Sequence, residues 1–233
     1  MDFRDRHVIV TGGTGALGAA VVGALLEAGA FCHVPCMSES KARRFPHRDD
    51  PHVKLIADAT LADEAAVAKL FDAVPNLWAS IHVVGGFAAG SVSETDKAAL
   101  MHQIDTNFVT CFLCCRAAVR AMARGKNGGR IVNVAARPAL EWRSGAGMAA
   151  YTASKAAVAA LTVALAEEVA REGILVNAVA PSIMDTPANR KAMPKTDHAA
   201  WPKVEEVAQT ILFLASPDNR VTRGAVTPVY GRS

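Results

Sequence analysis

His7-Val-Ile-Val-Thr11 runs directly into Gly12-Gly-Thr-Gly15-Ala-Leu-Gly18 and then into the apolar stretch Ala19 to Ala28. The first five residues are rich in β-branched side chains and stop at two glycines, while the last ten have helix-forming composition. The stretch therefore predicts strand, glycine loop, helix. Gly13-Thr-Gly15-Ala-Leu-Gly18 fits G-x-G-x-x-G, in which the missing side chains permit a tight turn, close approach of a pyrophosphate, and packing of helix on sheet. The helix N-terminus then offers free N–H groups and the positive end of its dipole to the phosphates. A structural glycine turn is the plainer alternative, and the placement between a strand and a helix at the start of the chain favours a dinucleotide fold. Gly12, Gly13, Gly15, Leu17 and Gly18 are the first cofactor-binding candidates.

Outward from this stretch, strands and helices alternate. Predicted strands are Phe31–Cys36, Val53–Ala57, Ala79–Val84, Arg130–Val134, Ile174–Val179 and Ala225–Val229. Between them lie helical runs over Leu61–Val74, Lys97–Arg124 as one or two helices, a run through Tyr151 ending at Glu172-Gly173, and Val204–Ala215. Such alternation, without internal repeat, implies right-handed crossovers and a doubly wound parallel sheet with helices on both faces, an α/β Rossmann-type fold over residues 1–233. A ligand belongs at the carboxyl ends of the strands. Residues 182–202, with Pro187 and Pro194, form the one long irregular connection and the natural substrate lid.

Composition bounds the function. A chain of 233 residues with 51% hydrophobic residues suits one sizeable α/β domain. The net charge of +3 is spread out, with no basic run suited to nucleic acid or a membrane surface. The apolar stretches are broken before a bilayer-spanning length and no leader pattern is present, which points to the cytoplasm. Cys32, Cys36, Cys111, Cys114 and Cys115 are an odd set that suits buried small hydrophobes better than disulfides. A metal site from Cys111, Cys114 and Cys115 would need a fourth ligand and a geometry a helix does not supply, so no metal is expected.

The ends of the predicted strands carry the remaining site residues. After the second strand, where an acid would bind an adenosine 2′-hydroxyl, stands Cys36, followed by Ser38, Lys41, Arg43 and Arg44. That set favours NADP over NAD, against a solvated helix face as the alternative. Asp58 and Ala59 end the third strand, where an acid and a backbone amide would meet adenine; a helix N-cap is the other reading of Asp58. Gly85-Gly86 ends the fourth and lets the backbone run along a cofactor, and Pro181 closes the sixth. Asn107 is the polar exception on an apolar helix face, either a satisfied structural group or the anchor of a water in a proton path. Tyr151-Thr-Ala-Ser-Lys155 puts a phenol and an ammonium one turn apart on one face, where the cation is expected to lower the phenol pKa towards that of a working general acid.

Thr11-Gly-Gly-Thr-Gly-Ala-Leu-Gly18, Asn107, Tyr151-Thr-Ala-Ser-Lys155 and Asn177-Ala-Val-Ala-Pro181, in this order and spacing, make the chain resemble the short-chain dehydrogenase/reductase family over its whole length. The resemblance implies Tyr151 as general acid, Lys155 binding the nicotinamide ribose and tuning Tyr151, Asn107 anchoring a relay water, and Ile183 and Thr186 near the carboxamide. It also implies a homodimer or homotetramer built on the helices holding Asn107 and Tyr151. Three departures stand out. Ala16 replaces a usual glycine, Gly85-Gly86 stands where Asn-Ala-Gly is common, and Ala135-Ala136-Arg137 follows the fifth strand where the family places a catalytic serine. Ser144 is the candidate replacement. Asp185-Thr-Pro-Ala-Asn-Arg-Lys-Ala-Met-Pro194, Trp201 and Gly85-Gly86-Phe87-Ala-Ala-Gly90 are similar to the quinonoid dihydropteridine reductase branch, which also lacks that serine, although Cys36 leaves the likeness incomplete. The expected activity is NAD(P)H-dependent reduction of a small carbonyl or quinonoid substrate. The alternatives are a dihydropteridine reductase proper or a non-catalytic dinucleotide sensor.

Overall fold

The computed structural model describes residues 1–57, 59–125 and 127–233. Strands β1 (His7–Thr11), β2 (Phe31–Pro35), β3 (Val53–Ile56), β4 (Leu77–His82), β5 (Gly129–Val134), β6 (Ile174–Pro181) and β7 (Val226–Val229) form one parallel sheet in the order β3-β2-β1-β4-β5-β6-β7. The helices are α1 (Ala16–Glu27), α2 (Glu39–Arg44), α3 (Glu64–Asp72), α4 (Lys97–Ile104), α5 (Thr110–Gly125), α6 (Ala149–Glu168), α7 (Pro187–Ala192) and α8 (Val204–Ala215). Successive strand residues face opposite ways. Val8 and Val10 of β1 accordingly enter one core with Val21 and Leu25 of α1 and Ile211 of α8, while Ile9 enters the other with Phe71 of α3, Met122 of α5 and Val158 of α6. The chain winds outward from β1 to β3, then returns to place β4 on the other side of β1. That reversal opens a crevice at the carboxyl ends of β1 and β4.

Several boundaries differ from the sequence expectation for local reasons. Helix α1 begins at Ala16, three residues before the apolar run, because Gly15 has the extended backbone of an N-cap. Helix α3 starts at Glu64 instead of Leu61, since the Asp63 carboxylate accepts the Ala66 N–H at 2.6 Å and caps it there. Strand β4 runs Leu77–His82 instead of Ala79–Val84: its pairing with β1 ends at Thr11 opposite His82, and Val83 and Val84 leave the sheet. The run from Lys97 is continuous but carries a π-helical turn at Asp105–Val109.

Two expectations are corrected. Segment 182–202 is not irregular: Thr186 caps α7, a 3-10 turn covers His198–Ala200, and the Asp185 N–H reaches the Pro202 carbonyl at 2.9 Å, closing the segment on itself. Helix α6 does reach bilayer-crossing length and apolarity, with a mean hydropathy of 1.4. It is nevertheless packed in the fold, with Ser154, Lys155, Val158, Ala159, Thr162 and Ala166 buried.

Candidate active site

A cleft of about 570 Å³ lies at the carboxyl ends of β1, β2, β4, β5 and β6. Its floor at one end is the glycine loop. Gly12 has φ +69°, and a Cβ there would stand 2.9 Å from the Val84 amide nitrogen. A Cβ on Gly18 would stand 2.1 Å from the Gly12 carbonyl oxygen, so α1 can start against the loop only because Gly18 has no side chain. Gly15 caps α1 with no side-chain acceptor, leaving the first-turn N–H groups open to the cleft. Gly12, Gly15, Leu17 and Gly18 line it as expected. Gly13 does not: its Cβ would be 2.7 Å from Val34 Cγ1, so this glycine serves contact between loop and sheet.

Beyond β2 the cleft is lined by Pro35, Met37, Lys41, Ala59 and Leu61. Of the basic residues that follow Cys36, Lys41 alone lines it; the Arg43 guanidinium donates to Glu39 at 2.6 Å and Arg44 is exposed. Cys36 is buried, its thiol donating to the Ser38 carbonyl at 3.2 Å. Asp58 lies outside the described residues.

At the other end Tyr151 and Lys155 line the cleft with Gly85, Gly86, Ala135, Ala136, Pro181 and Thr186. Lys155 is 5% exposed, and its ammonium donates to the Val134 carbonyl at 2.8 Å. Burial draws its pKa down from 10.5 to about 8. Burial also drives Tyr151 up from 10.0 to about 12, opposite to the lowering expected from a neighbouring cation. Loss of hydration around the phenol is the cause. The Phe87 ring closes on Tyr151 edge-to-face, at a centroid distance of 5.0 Å.

Asn107 is 1% exposed and sits behind the cleft wall, where the π-helical turn delivers it. Its Oδ1 accepts the Gly86 N–H at 2.9 Å, while its Nδ2 donates to the Gly86 carbonyl and to Ser154 Oγ, each at 3.0 Å. Ser154 in turn donates to the Tyr151 carbonyl at 2.7 Å. The side-chain amide is thus a strut between the β4 exit and the Tyr151 helix.

The position of the missing serine is filled by alanine in space as in sequence, since Ala135 and Ala136 both border the cleft. Ser144 does not replace it. It lies in the exposed turn Trp142–Gly145, with its hydroxyl donating to the Glu141 carbonyl at 2.7 Å. Ile183 is likewise displaced: it is 43% exposed and Met184 takes the cleft-lining place. Thr186 lines the cleft and accepts the Asn189 N–H as the cap of α7. Thr14, Phe87, Thr106, Ser182 and Asn189 also border the cleft, and sequence reasoning did not single them out. Thr14, Phe87 and Ser182 are single residues in loops, and Thr106 and Asn189 are single polar residues in short helical turns, so none carries a periodicity that would have marked it.

The family model described as short chain dehydrogenase matches residues 6–197. The chain is 31% identical over 248 residues to (2S)-[(R)-hydroxy(phenyl)methyl]succinyl-CoA dehydrogenase subunit BbsD of Thauera aromatica, covering 99% of this chain and 97% of the relative. It is 34% identical over 245 residues to cis-4-hydroxycyclohexanecarboxylate dehydrogenase of Sinomonas cyclohexanicum, covering 98% and 96%. Among solved structures it is similar to ElxO with NADP bound, at TM-score 0.88 and 26% identity over 97% of each chain.

Proposed function

The chain belongs to the short-chain dehydrogenase family and is an NAD(P)-dependent oxidoreductase, and from that premise we propose that it reduces a small carbonyl or quinonoid compound with Tyr151 as proton donor. The observation that carries the reading is the joint presence of Tyr151, Lys155 and the glycine cradle in one cleft that offers no hydroxyl at Ala135 or Ala136. The close approaches at Gly12 and Gly18, and a methyl on Gly85 that would stand 3.0 Å from Lys155 Nζ, fit a dinucleotide laid along this backbone. Gly12, Gly15, Gly18, Ala59, Gly85, Gly86 and Thr186 would hold it, and such a group supplies hydride-transfer chemistry when bound.

The chain's own part is to manage a proton. A phenol raised to about 12 is protonated at neutral pH, so Tyr151 presents a hydrogen to an oxygen or ring nitrogen of the substrate and can release it as negative charge develops there. Lys155, held by the Val134 carbonyl, brings a positive charge to the same cleft, which favours the phenolate left after transfer. Asn107 keeps Gly86 and α6 in register and so positions Tyr151. A ketone gains most from a second donor that polarises its oxygen. A quinonoid ring, whose charge is already delocalised, needs that donor least, and the alanines favour such a substrate. On the same ground a dihydropteridine reductase proper is the second reading; a non-catalytic sensor would have no use for the Tyr151 and Lys155 pair.

Lys41 in the cleft beyond β2 supports NADP as the preferred cofactor. We also infer one domain over residues 1–233, a cytoplasmic setting that suits five free buried thiols, and a homodimer or homotetramer. The Tyr151→Phe variant tests the central claim. NADPH binding by fluorescence should stay within about twofold, while turnover of quinones and reactive ketones falls about 100- to 10,000-fold. Unchanged turnover would remove Tyr151 from the mechanism.

A further inference from the structure

Beneath the cleft, between β4, β5 and α5, lies a buried cluster that the oxidoreductase chemistry does not use. His82 ends β4, Asn133 lies beside it on β5, and Cys111 and Cys115 sit one turn apart on the face of α5 that packs on the sheet. All four are at most 5% exposed. One coordinating atom from each of His82, Cys111 and Cys115 lies within 4.8 Å of the other two. His82 Nδ1 stands 3.5 Å from Cys115 Sγ. Asn133 Oδ1 is 2.8 Å from His82 Nδ1, 3.3 Å from Cys111 Sγ and 3.5 Å from Cys115 Sγ.

The donors here converge on few acceptors. Thr162 Oγ1 donates to the Val158 carbonyl and so accepts from Asn133 Nδ2, which fixes the Asn133 amide with its oxygen towards the thiols. That single oxygen faces one imidazole N–H and two S–H groups, and the two thiols also bond each other. The adjoining void, bordered by Thr11, Val84 and Thr110, has no room for a water molecule. The four groups therefore meet at one dry point, where a cation can take the place of the protons. Around an ion bound at about 2.0 Å to nitrogen and about 2.3 Å to sulfur, tetrahedral corners lie about 3.5 Å apart, the spacing seen here between His82 and Cys115.

We infer that His82 Nδ1, Cys111 Sγ and Cys115 Sγ form a buried binding site for a thiophilic divalent cation, with Asn133 Oδ1 at the fourth corner. Two thiolates and a neutral imidazole match the charge of such an ion, so the loaded site is neutral and its burial is inexpensive. On loading, two thiol protons leave and the His82 proton moves to Nε2, where Ser80 Oγ at 2.7 Å accepts it and holds the ring. In the sequence Cys111, Cys114 and Cys115 lack a fourth ligand and sit on one helix, which argues against a metal; strand residues supply the ligands that the helix lacks.

Cadmium titration of the reduced, metal-free chain provides the test. The wild type should develop a thiolate-to-cadmium charge-transfer band that saturates at about one equivalent and releases about two protons. Cys111→Ala and Cys115→Ala should each lose that equivalent, Ser80→Ala should bind about 10- to 100-fold more weakly, and Cys32→Ala and Cys114→Ala should titrate like the wild type. Absence of the band in the wild type, or its persistence in a Cys111→Ala/Cys115→Ala double variant, overturns the site. Should either cysteine variant fail to fold, X-ray absorption on the zinc-loaded wild type decides: a shell of two sulfurs and an imidazole supports the site, and a shell without sulfur refutes it.

Discussion

At the scale of single residues, a lysine lowers a tyrosine pKa only where the two feel each other more strongly than each feels the loss of water. In the free chain burial dominates both: Tyr151 rises to about 12 and Lys155 falls to about 8. The Lys155 shift has a consequence for stability. Between pH 8 and 10.5 the unfolded lysine binds a proton that the folded one lacks, so stability should increase as pH rises through that window, and Lys155→Met should remove the increase. Above pH 10 Tyr151 acts in the opposite sense, because the folded phenol holds its proton longer. Urea midpoints of wild type and variant across this range measure both effects; parallel curves would show that Lys155 is not desolvated. Lys41 carries a second prediction. If its ammonium meets a 2′-phosphate, Lys41→Ala should weaken NADPH binding about 10- to 100-fold and leave NADH within about twofold, as loss of one charge-assisted contact requires. Equal losses for both cofactors would end the argument for NADP. The carboxamide-side reading of Ile183 and the catalytic reading of Ser144 failed for a common reason: in a loop, neighbouring residues face any direction, and sequence separation does not say which.

Elements were more legible than their ends. Hydrophobic runs identified every strand, but where each stops depends on pairing partners and caps that belong to other segments. Val83 and Val84 read as strand by propensity, yet β1 ends at Thr11, whose carbonyl takes the Val83 N–H as the last bond of the ladder. The π-helical turn at Asp105–Val109 has no local signature, although it sets the direction of Asn107. The glycine loop, by contrast, was readable because close backbone approach demands glycine itself. Gly18→Ala would place a methyl 2.1 Å from the Gly12 carbonyl oxygen and 2.6 Å from Gly13 Cα, and these backbone atoms have no flexible side chain to yield. We expect a loss of about 1–3 kcal/mol in stability with weakened cofactor binding. Gly125→Ala, with nothing within 4 Å of the added Cβ at the end of α5, serves as control and should be neutral or stabilising. Comparable losses in both variants, measured by thermal unfolding and NADPH titration, would contradict the steric account.

For the whole molecule, one sheet separates two cores, and the crevice lies where the winding reverses. Leu100, Met101 and Phe112 on the α4–α5 run and Val163 on α6 remain exposed, on the helices we assign to the oligomer interface. A Leu100→Glu/Phe112→Glu variant should therefore sediment as a monomer where the wild type sediments as a dimer or tetramer. A monomeric wild type, or an unaltered assembly, would refute that interface. By itself the sequence determined the strand-helix alternation, the glycine cradle and the Tyr151–Lys155 pair, because each is written in residues at most one or two turns apart, where backbone sterics and periodicity act. Only the tertiary structure decided that alanine faces the substrate space, that Ser144 turns away from it, that burial overrides the lysine's pull on the phenol, and that His82 and Asn133 meet Cys111 and Cys115. Those outcomes depend on desolvation and on contacts between segments far apart in the chain, and neither quantity exists until the sheet has closed around them.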